Sequence, residues 1–222
     1  MSDVFQVRPY DEADRPALTH LFAHAGKDSP TEQLWGHLGS EADVYLNPYL
    51  DGPPGFAYVA QLDSGTLVGY LLGCLDTAGL PSESERMERS IRRHRLYLRP
   101  RPVSFFARAL VDSAVAKRHG SEVVTDDFDD DRWPAHLHIN VAPEGRGTGA
   151  ADLLMSRWLE RLAAAGTVGC HVQTVQENLR AVRFFTRHGF RPFGTAPLIP
   201  GLRVRGQHVH QLTMVRPSPR TG

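Results

Sequence analysis

The chain has 222 residues, enough for one well-buried core or for one domain carrying a large insertion. Its 25 Lys and Arg balance its 25 Asp and Glu, so no global field draws it to nucleic acid or to an anionic membrane surface, and neither is expected as a partner. No uncharged apolar stretch approaches a membrane span and no basic-then-apolar leader opens the chain; Cys74 and Cys170 each lie in an apolar run, which predicts buried thiols in a reducing, cytoplasmic setting.

Val4 to Arg8 predict a short first strand, and Leu18, Leu21, Phe22 and Ala25 recur at helical spacing behind it. A second short helix is expected over residues 32–38. Prolines and glycine then predict an irregular loop over residues 43–54. Residues 56–62 and 67–75 form a β-prone pair joined by Asp63-Ser-Gly-Thr, which is turn chemistry for an antiparallel hairpin. Between Asp76 and Trp133, charged blocks flank an apolar helical segment at 103–115, so residues 77–133 are expected as a helical insertion between the third and fourth strands. The last third alternates: strand 136–141, glycine-rich turn, helix 149–164, strand 168–175, helix 179–188, then strands near Phe190 and Val209. One domain over residues 1–216 and a flexible tail over 217–222 complete the expectation.

The segment with most chemical content runs from Val141 through Ala151, where a strand ends and an amphipathic helix begins. The first turn of a helix offers N–H groups without internal partners, and its dipole favours an anion there. Gly147 and Gly149 let backbone approach a ligand without Cβ obstruction, Ala150 and Ala151 are small, and Arg146 adds a charge. Neither a Gly-Lys-Ser/Thr ending nor the dinucleotide spacing is present.

Arg146-Gly-Thr-Gly-Ala-Ala resembles the Gln/Arg-x-x-Gly-x-Gly/Ala signature of the GNAT acetyltransferases, with Val141-x-Pro143 before it at the family's spacing. Asn178-Leu-Arg-Ala-Val-Arg-Phe-Phe-Thr-Arg-His-Gly-Phe resembles the family's second cofactor segment. More narrowly, Tyr45-Leu-Asn-Pro-Tyr-Leu, Phe56-Ala-Tyr-Val-Ala, Gly69-Tyr-Leu-Leu-Gly-Cys-Leu-Asp-Thr and Pro134-Ala-His-Leu-His-Ile-Asn-Val are similar to the acetyltransferase-like C-terminal domain of O-GlcNAcases and its bacterial relatives. The resemblance implies an α/β fold of GNAT type, a splayed mixed central β-sheet flanked by helices, with acetyl-CoA as cosubstrate between the fourth and fifth strands. It implies pantetheine bonded to backbone at Ile139 and Val141, pyrophosphate against N–H groups of Gly147, Thr148, Gly149, Ala150 and Ala151 beside Arg146, and Asn178 on the pantetheine arm. Phe185 stands where many members have a tyrosine that protonates the departing thiolate; the departure leaves the binding expectation intact, and Phe185 is itself expected among the cofactor-binding residues.

His136, His138 and Asn140 alternate along one strand and share a face. His138 is the first candidate for general base and Asn140 for a water- or substrate-positioning partner; the alternative is a polar sheet face without catalytic use. Asp43, Tyr45 and Tyr49 either line an acceptor pocket or pack their loop onto the sheet. His171 and His208-Val-His210 lack supporting ligands, so no metal is expected. The arginine run at 86–101 is either a contact for an acidic partner or a solvated face, with the acidic block at 126–131 as its internal counterpart. The expected function is acetyl transfer from acetyl-CoA to a small amine or a protein or peptide amine, by a monomer or homodimer. A non-catalytic acetyl-CoA-binding module is the alternative, and a degenerate domain binding something else is a third.

Overall fold

A computed structural model describes residues 5–25, 34–53, 55–125 and 127–218. In chain order the elements are β1 (Phe5–Pro9), α1 (Arg15–Ala25), α2 (Leu38–Tyr45), α3 (Asn47–Leu50), β2 (Gly55–Leu62), β3 (Leu67–Cys74), α4 (Glu83–His94), α5 (Pro100–Arg118), β4 (Ala135–Val141), α6 (Ala150–Ala164), β5 (Gly169–Val175), α7 (Leu179–Arg187), β6 (Arg191–Pro192), β7 (Leu198–Val204) and β8 (Gln207–Pro217). The strands form one mixed sheet in the order β1-β2-β3-β4-β5-β8-β6, with β7 paired to β8. Among the named strands of the described residues only β4 and β5 run parallel, and the other pairings are antiparallel; an isolated parallel bridge joins Val123 to Leu198.

Two cores cover the two faces of this sheet. On one, Leu154, Met155, Trp158 and Leu162 of α6 and Phe185 of α7 bury against Leu71, Leu137, Cys170 and Val172. On the other, Leu18 and Leu21 of α1, Ala42 of α2 and Tyr49 of α3 bury against Val59, Tyr70 and Leu72. The period of two along β3 sorts Leu71 to the first face and Tyr70 and Leu72 to the second. Both cysteines are buried and free, and burial pushes the Cys74 thiol up to about 11 and that of Cys170 to about 12. No helix of the described residues is long and apolar enough to cross a membrane.

Four expectations change. Residues 26–33 lie outside the described residues, and the helix expected over 32–38 instead begins at Leu38: the buried Glu41 side chain accepts the N–H groups of Trp35, Gly36 and His37 at 3.2, 2.8 and 3.3 Å and holds the chain in a bend there. The loop expected at 43–54 is largely helical. Pro48 falls in the first turn of α3, where its missing N–H costs nothing, and Asn47 ties back to Asp43 at 2.8 Å. Strand β7 was hidden by Pro200 and Gly201, whose left-handed φ of 82° interrupts the pattern where α5 crosses. A Cβ on Gly201 would lie 3.0 Å from Ala109. At the C-terminus, Pro217 pairs with Gly169 and the Ser218 N–H reaches the Val168 carbonyl at 3.0 Å, so the sheet extends into the expected tail; residues 219–222 lie outside the described residues.

The insertion is packed into the fold. Leu96 joins Trp35 and Val44 in a third apolar cluster with Phe105 and Phe106. From α5, Asp112 binds Arg203 of β7 through both carboxylate oxygens, at 2.7 and 2.5 Å.

Candidate active site

Strands β4 and β5 pair only at Ala135 with Cys170 and His136 with His171, after which they diverge. Along β4 the Ala142 N–H donates to the Val68 carbonyl, at 2.8 Å. Antiparallel ladders alternate their bonding direction residue by residue, so Asn140, His138 and His136 also face β3, whereas Val141, Ile139 and Leu137 turn their N–H and C=O groups toward the opening beside β5. An extended amide-bearing chain fits that edge as an added strand would. The residues expected to bond pantetheine, Ile139 and Val141, therefore have the required backbone orientation.

At the mouth of the opening the chain turns into α6. Gly147 and Gly149 have φ of 78° and 91°, left-handed values that a side chain would strain, and nothing lies within 4 Å of a Cβ on Gly147. Thr148 shapes the turn: its hydroxyl donates to the Gly145 carbonyl at 2.8 Å and accepts the Ala150 N–H at 3.3 Å. One expected anion donor thus already has a weak internal partner. Ala150 is wholly buried against the sheet, Ala151 and Arg146 are partly buried, and the backbone of 147–151 remains at the start of a 15-residue helix. The glycines, the open space and the helix dipole fit a pyrophosphate.

Asn178 caps α7, its Oδ1 accepting the Ala181 N–H at 3.2 Å, which leaves its amide nitrogen for a ligand. Phe185 is buried and packs edge-on against Phe184 and Phe190, with ring centroids 5.4 and 5.6 Å away. It is part of the core cluster on the α6 face of the sheet.

The opposite face of β4 carries the titratable groups. Tyr49 of α3 places its hydroxyl 2.8 Å from His136 Nε2 and 2.9 Å from His138 Nε2. Thr77 Oγ1 lies 2.7 Å from His136 Nδ1 and donates to the Pro134 carbonyl at 2.6 Å. Asn140 donates to the Tyr70 hydroxyl at 2.9 Å, so it is engaged with β3. Burial is the main force on the imidazoles: it drives His136 well below its ordinary value and His138 down to about 4, and the buried Arg86 guanidinium adds to both shifts. His171, which donates from Nδ1 to the Trp133 carbonyl at 2.7 Å, is lowered for the same first reason.

Tyr45, Tyr49, Glu83, Asp127, His138 and His171 line one narrow cleft with a cavity volume of about 30 Å³. Tyr45 donates to Glu83 at 2.7 Å, and burial holds the Glu83 carboxyl above its ordinary range. Asp127 accepts the Glu83 backbone N–H at 2.7 Å. Asp43 does not join them. It binds His94 at 2.8 Å and lines a neighbouring groove with Asn47 and Arg93, because α4 packs across α2 and takes its carboxylate. The arginine run supplies Arg86 to the cleft, and its partner is Asp127 at 4.0 Å, within the block foreseen as internal counterpart. Thr77, Glu83 and Asp127 lie in segments the sequence analysis marked but were not named there as site residues, because no local spacing assigns them to a site; only the folding of the insertion brings them to β4. Among the described residues no group of three or more His, Cys, Asp or Glu is arranged to hold a metal ion, and His210 pairs with Glu177 at 2.9 Å.

Residues 106–192 match the acetyltransferase (GNAT) domain family. Among solved structures, SsHAT is 22% identical with a TM-score of 0.59, covering 97% of this chain and 99% of that one. A GCN5-related N-acetyltransferase from Kribbella flavida is 20% identical with a TM-score of 0.55, covering 96% and 97%. A ribosomal-protein-alanine N-acetyltransferase from Brucella melitensis is 18% identical with a TM-score of 0.56, covering 96% and 99%. The diverging β4 and β5, the glycine turn into α6 and these likenesses together establish that the chain has the GNAT acetyltransferase fold.

Proposed function

We propose that this protein is an acetyl-CoA-dependent N-acetyltransferase. The observation that carries the reading is the β4–β5 opening, with Ile139 and Val141 turned into it and the Gly147–Gly149 turn at its mouth. Neighbours of the same fold include a spermidine N-acetyltransferase and a ribosomal-protein-alanine N-acetyltransferase, whose names share an amine acceptor, and a small or peptide amine is the acceptor class assigned here. The segments that resemble the acetyltransferase-like domain of O-GlcNAcases contribute Tyr45, Tyr49, His136, His138 and Asn140 to the acceptor face, and we extend the proposal to that kinship. Two buried free thiols accord with a reducing compartment.

In the proposed reaction the amine nitrogen attacks the thioester carbonyl carbon, the new C–N bond forms and the C–S bond breaks with its electrons on sulfur. Backbone N–H groups turned into the opening at β4 polarise the carbonyl. The amine proton passes to His138. With Phe185 in the core, no hydroxyl is offered at that position to the leaving thiolate, and a thiol of ordinary pKa, ~8.5, takes its proton from water. No covalent enzyme intermediate is required, since Cys74 and Cys170 are buried and their thiols are raised.

Calorimetric titration with acetyl-CoA, with Gly149→Glu as the control, tests the binding half. Wild type is expected to bind and the variant to lose at least about 100-fold in affinity, as a carboxylate enters an anion site. A panel of amines assayed for CoA thiol release tests the transfer half. A folded wild type that ignores acetyl-CoA sinks the whole reading; binding without release by any amine leaves a non-catalytic acetyl-CoA module.

A further inference from the structure

Hydrogen-bond directions along the acceptor face assign a tautomer. The Pro134 carbonyl can only accept, and Thr77 Oγ1 lies 2.6 Å from it, so the Thr77 proton points there. Thr77 Oγ1 is then the acceptor for His136 at 2.7 Å, which puts the His136 proton on Nδ1 and leaves Nε2 bare. His136 is buried and neutral, with the Arg86 charge nearby opposing a second proton. Its bare Nε2 takes the Tyr49 proton across 2.8 Å. The Tyr49 oxygen, its only proton committed, must accept from His138 Nε2 at 2.9 Å. His138 is left with its lone pair on Nδ1, to which no hydrogen bond runs among the described residues.

We propose that Thr77, His136 and Tyr49 form a one-way hydrogen-bond chain that locks His138 as its Nε2–H tautomer and so makes Nδ1 the atom that accepts the proton of the attacking amine. The catalytic half of this inference rests on the acetyltransferase reading; the tautomer half does not. Three separate segments build the chain: Thr77 from the start of the insertion, Tyr49 from α3 and the imidazoles from β4. Thr77, His136 and Tyr49 are positioning residues, acting through His138. The other charged or titratable groups facing the cleft are Glu83 and Arg86 of α4, Tyr45 of α2, Asp127 and His171 of β5. None of them is hydrogen-bonded to His138. The Arg86 guanidinium also donates toward the Tyr49 oxygen, and since a guanidinium cannot accept, it leaves the Tyr49 proton directed to His136. As the C–N bond forms, the amine proton moves to Nδ1 while the electron pair of the C–S bond leaves on sulfur, so charge and atoms balance within the proposed reaction.

Because the direction is set at one end, Thr77→Val should act at the other. Without an acceptor at Thr77, His136 gains by moving its proton to Nε2, Tyr49 then donates to His138 Nε2, and His138 carries its proton on Nδ1. The test is two-bond 15N–1H correlation of the imidazoles in 15N-labelled full-length protein near pH 7.5, for wild type, Thr77→Val and Thr77→Ser. Expected are Nε2–H at His138 in wild type and in Thr77→Ser, and Nδ1–H in Thr77→Val. The kcat of Thr77→Val should fall about ten-fold with the KM for acetyl-CoA unchanged, less than the ~10²–10⁴ of a positioned acid–base group because His138 itself remains. Nδ1–H at His138 in wild type, or a His138 tautomer unmoved in a folded Thr77→Val, overturns the chain. Tautomers as assigned in a protein that no amine turns over uphold the chain and overturn the acetyltransferase reading instead.

Discussion

His138, the base in the proposed reaction, is pushed down to about 4, which would make it a weak one. Burial that removes water from the imidazolium is the cause, and it secures the neutral form that alone can accept a proton. Alternation along β4 was enough to put His136, His138 and Asn140 on one face. It could not show that Asn140 is held by Tyr70, or that Tyr49 bridges both imidazoles, because those partners lie more than sixty residues away in sequence. Gly73 illustrates a second residue-level dependence: a Cβ there would lie 2.5 Å from Trp158 and 2.9 Å from Phe56. Trp158 is fully buried and has no room to move, so Gly73→Ala is expected to cost ~1–3 kcal/mol as an overpacked core, measurable by urea unfolding. A change below 0.5 kcal/mol would mean that the indole repacks freely.

Among the elements, the insertion has the largest influence on the candidate site. Helix α4 brings Glu83 and Arg86 to the cleft, and α5 clamps the β7–β8 arm through Asp112, which accepts the Gly201 N–H at 2.8 Å as well as both bonds from Arg203. Arg203 holds the Asp112 carboxyl below its usual range. Asp112→Ala leaves a guanidinium and a buried N–H without their acceptor. The expected loss is about 2–3 kcal/mol, under the ~3–5 of a fully buried pair because Arg203 keeps some contact with water. Faster hydrogen exchange confined to α5 and β7 should accompany it; unchanged exchange there would remove the clamp from the account. The sequence showed a helix at 103–115, but Val103, Leu110, Val111 and Val115 are exposed on it while Asp112 is buried, so its apolar spacing gave no hint of which strand it would hold.

At the scale of the whole molecule, His136, His138 and His171 link stability to pH. All three are lowered by burial, so above about pH 6.5 they are neutral folded or unfolded and stability is at its full value. Below that the unfolded chain takes up protons first, and stability is lost as pH falls from about 6.5 toward the folded value, about 4 for His138, by up to ~1.4 kcal/mol per pH unit for each such group. Thermal unfolding should therefore drop steeply between pH 7 and 5, before ordinary carboxylates titrate, and less steeply in His138→Gln. Identical slopes for the two proteins would contradict a buried neutral His138.

Sequence by itself determined the strands and helices whose periodicity is local, the place of the insertion, and the glycine turn between β4 and α6, because hydrophobic period and backbone permissiveness are written residue by residue. Only the tertiary structure decided where Asp43 went, that residues 43–50 are largely helical, that Phe185 is core, and that Thr77, Tyr49 and two histidines form one chain. These depend on which distant side chain captures a polar group once water is excluded, and burial, not spacing, sets that choice.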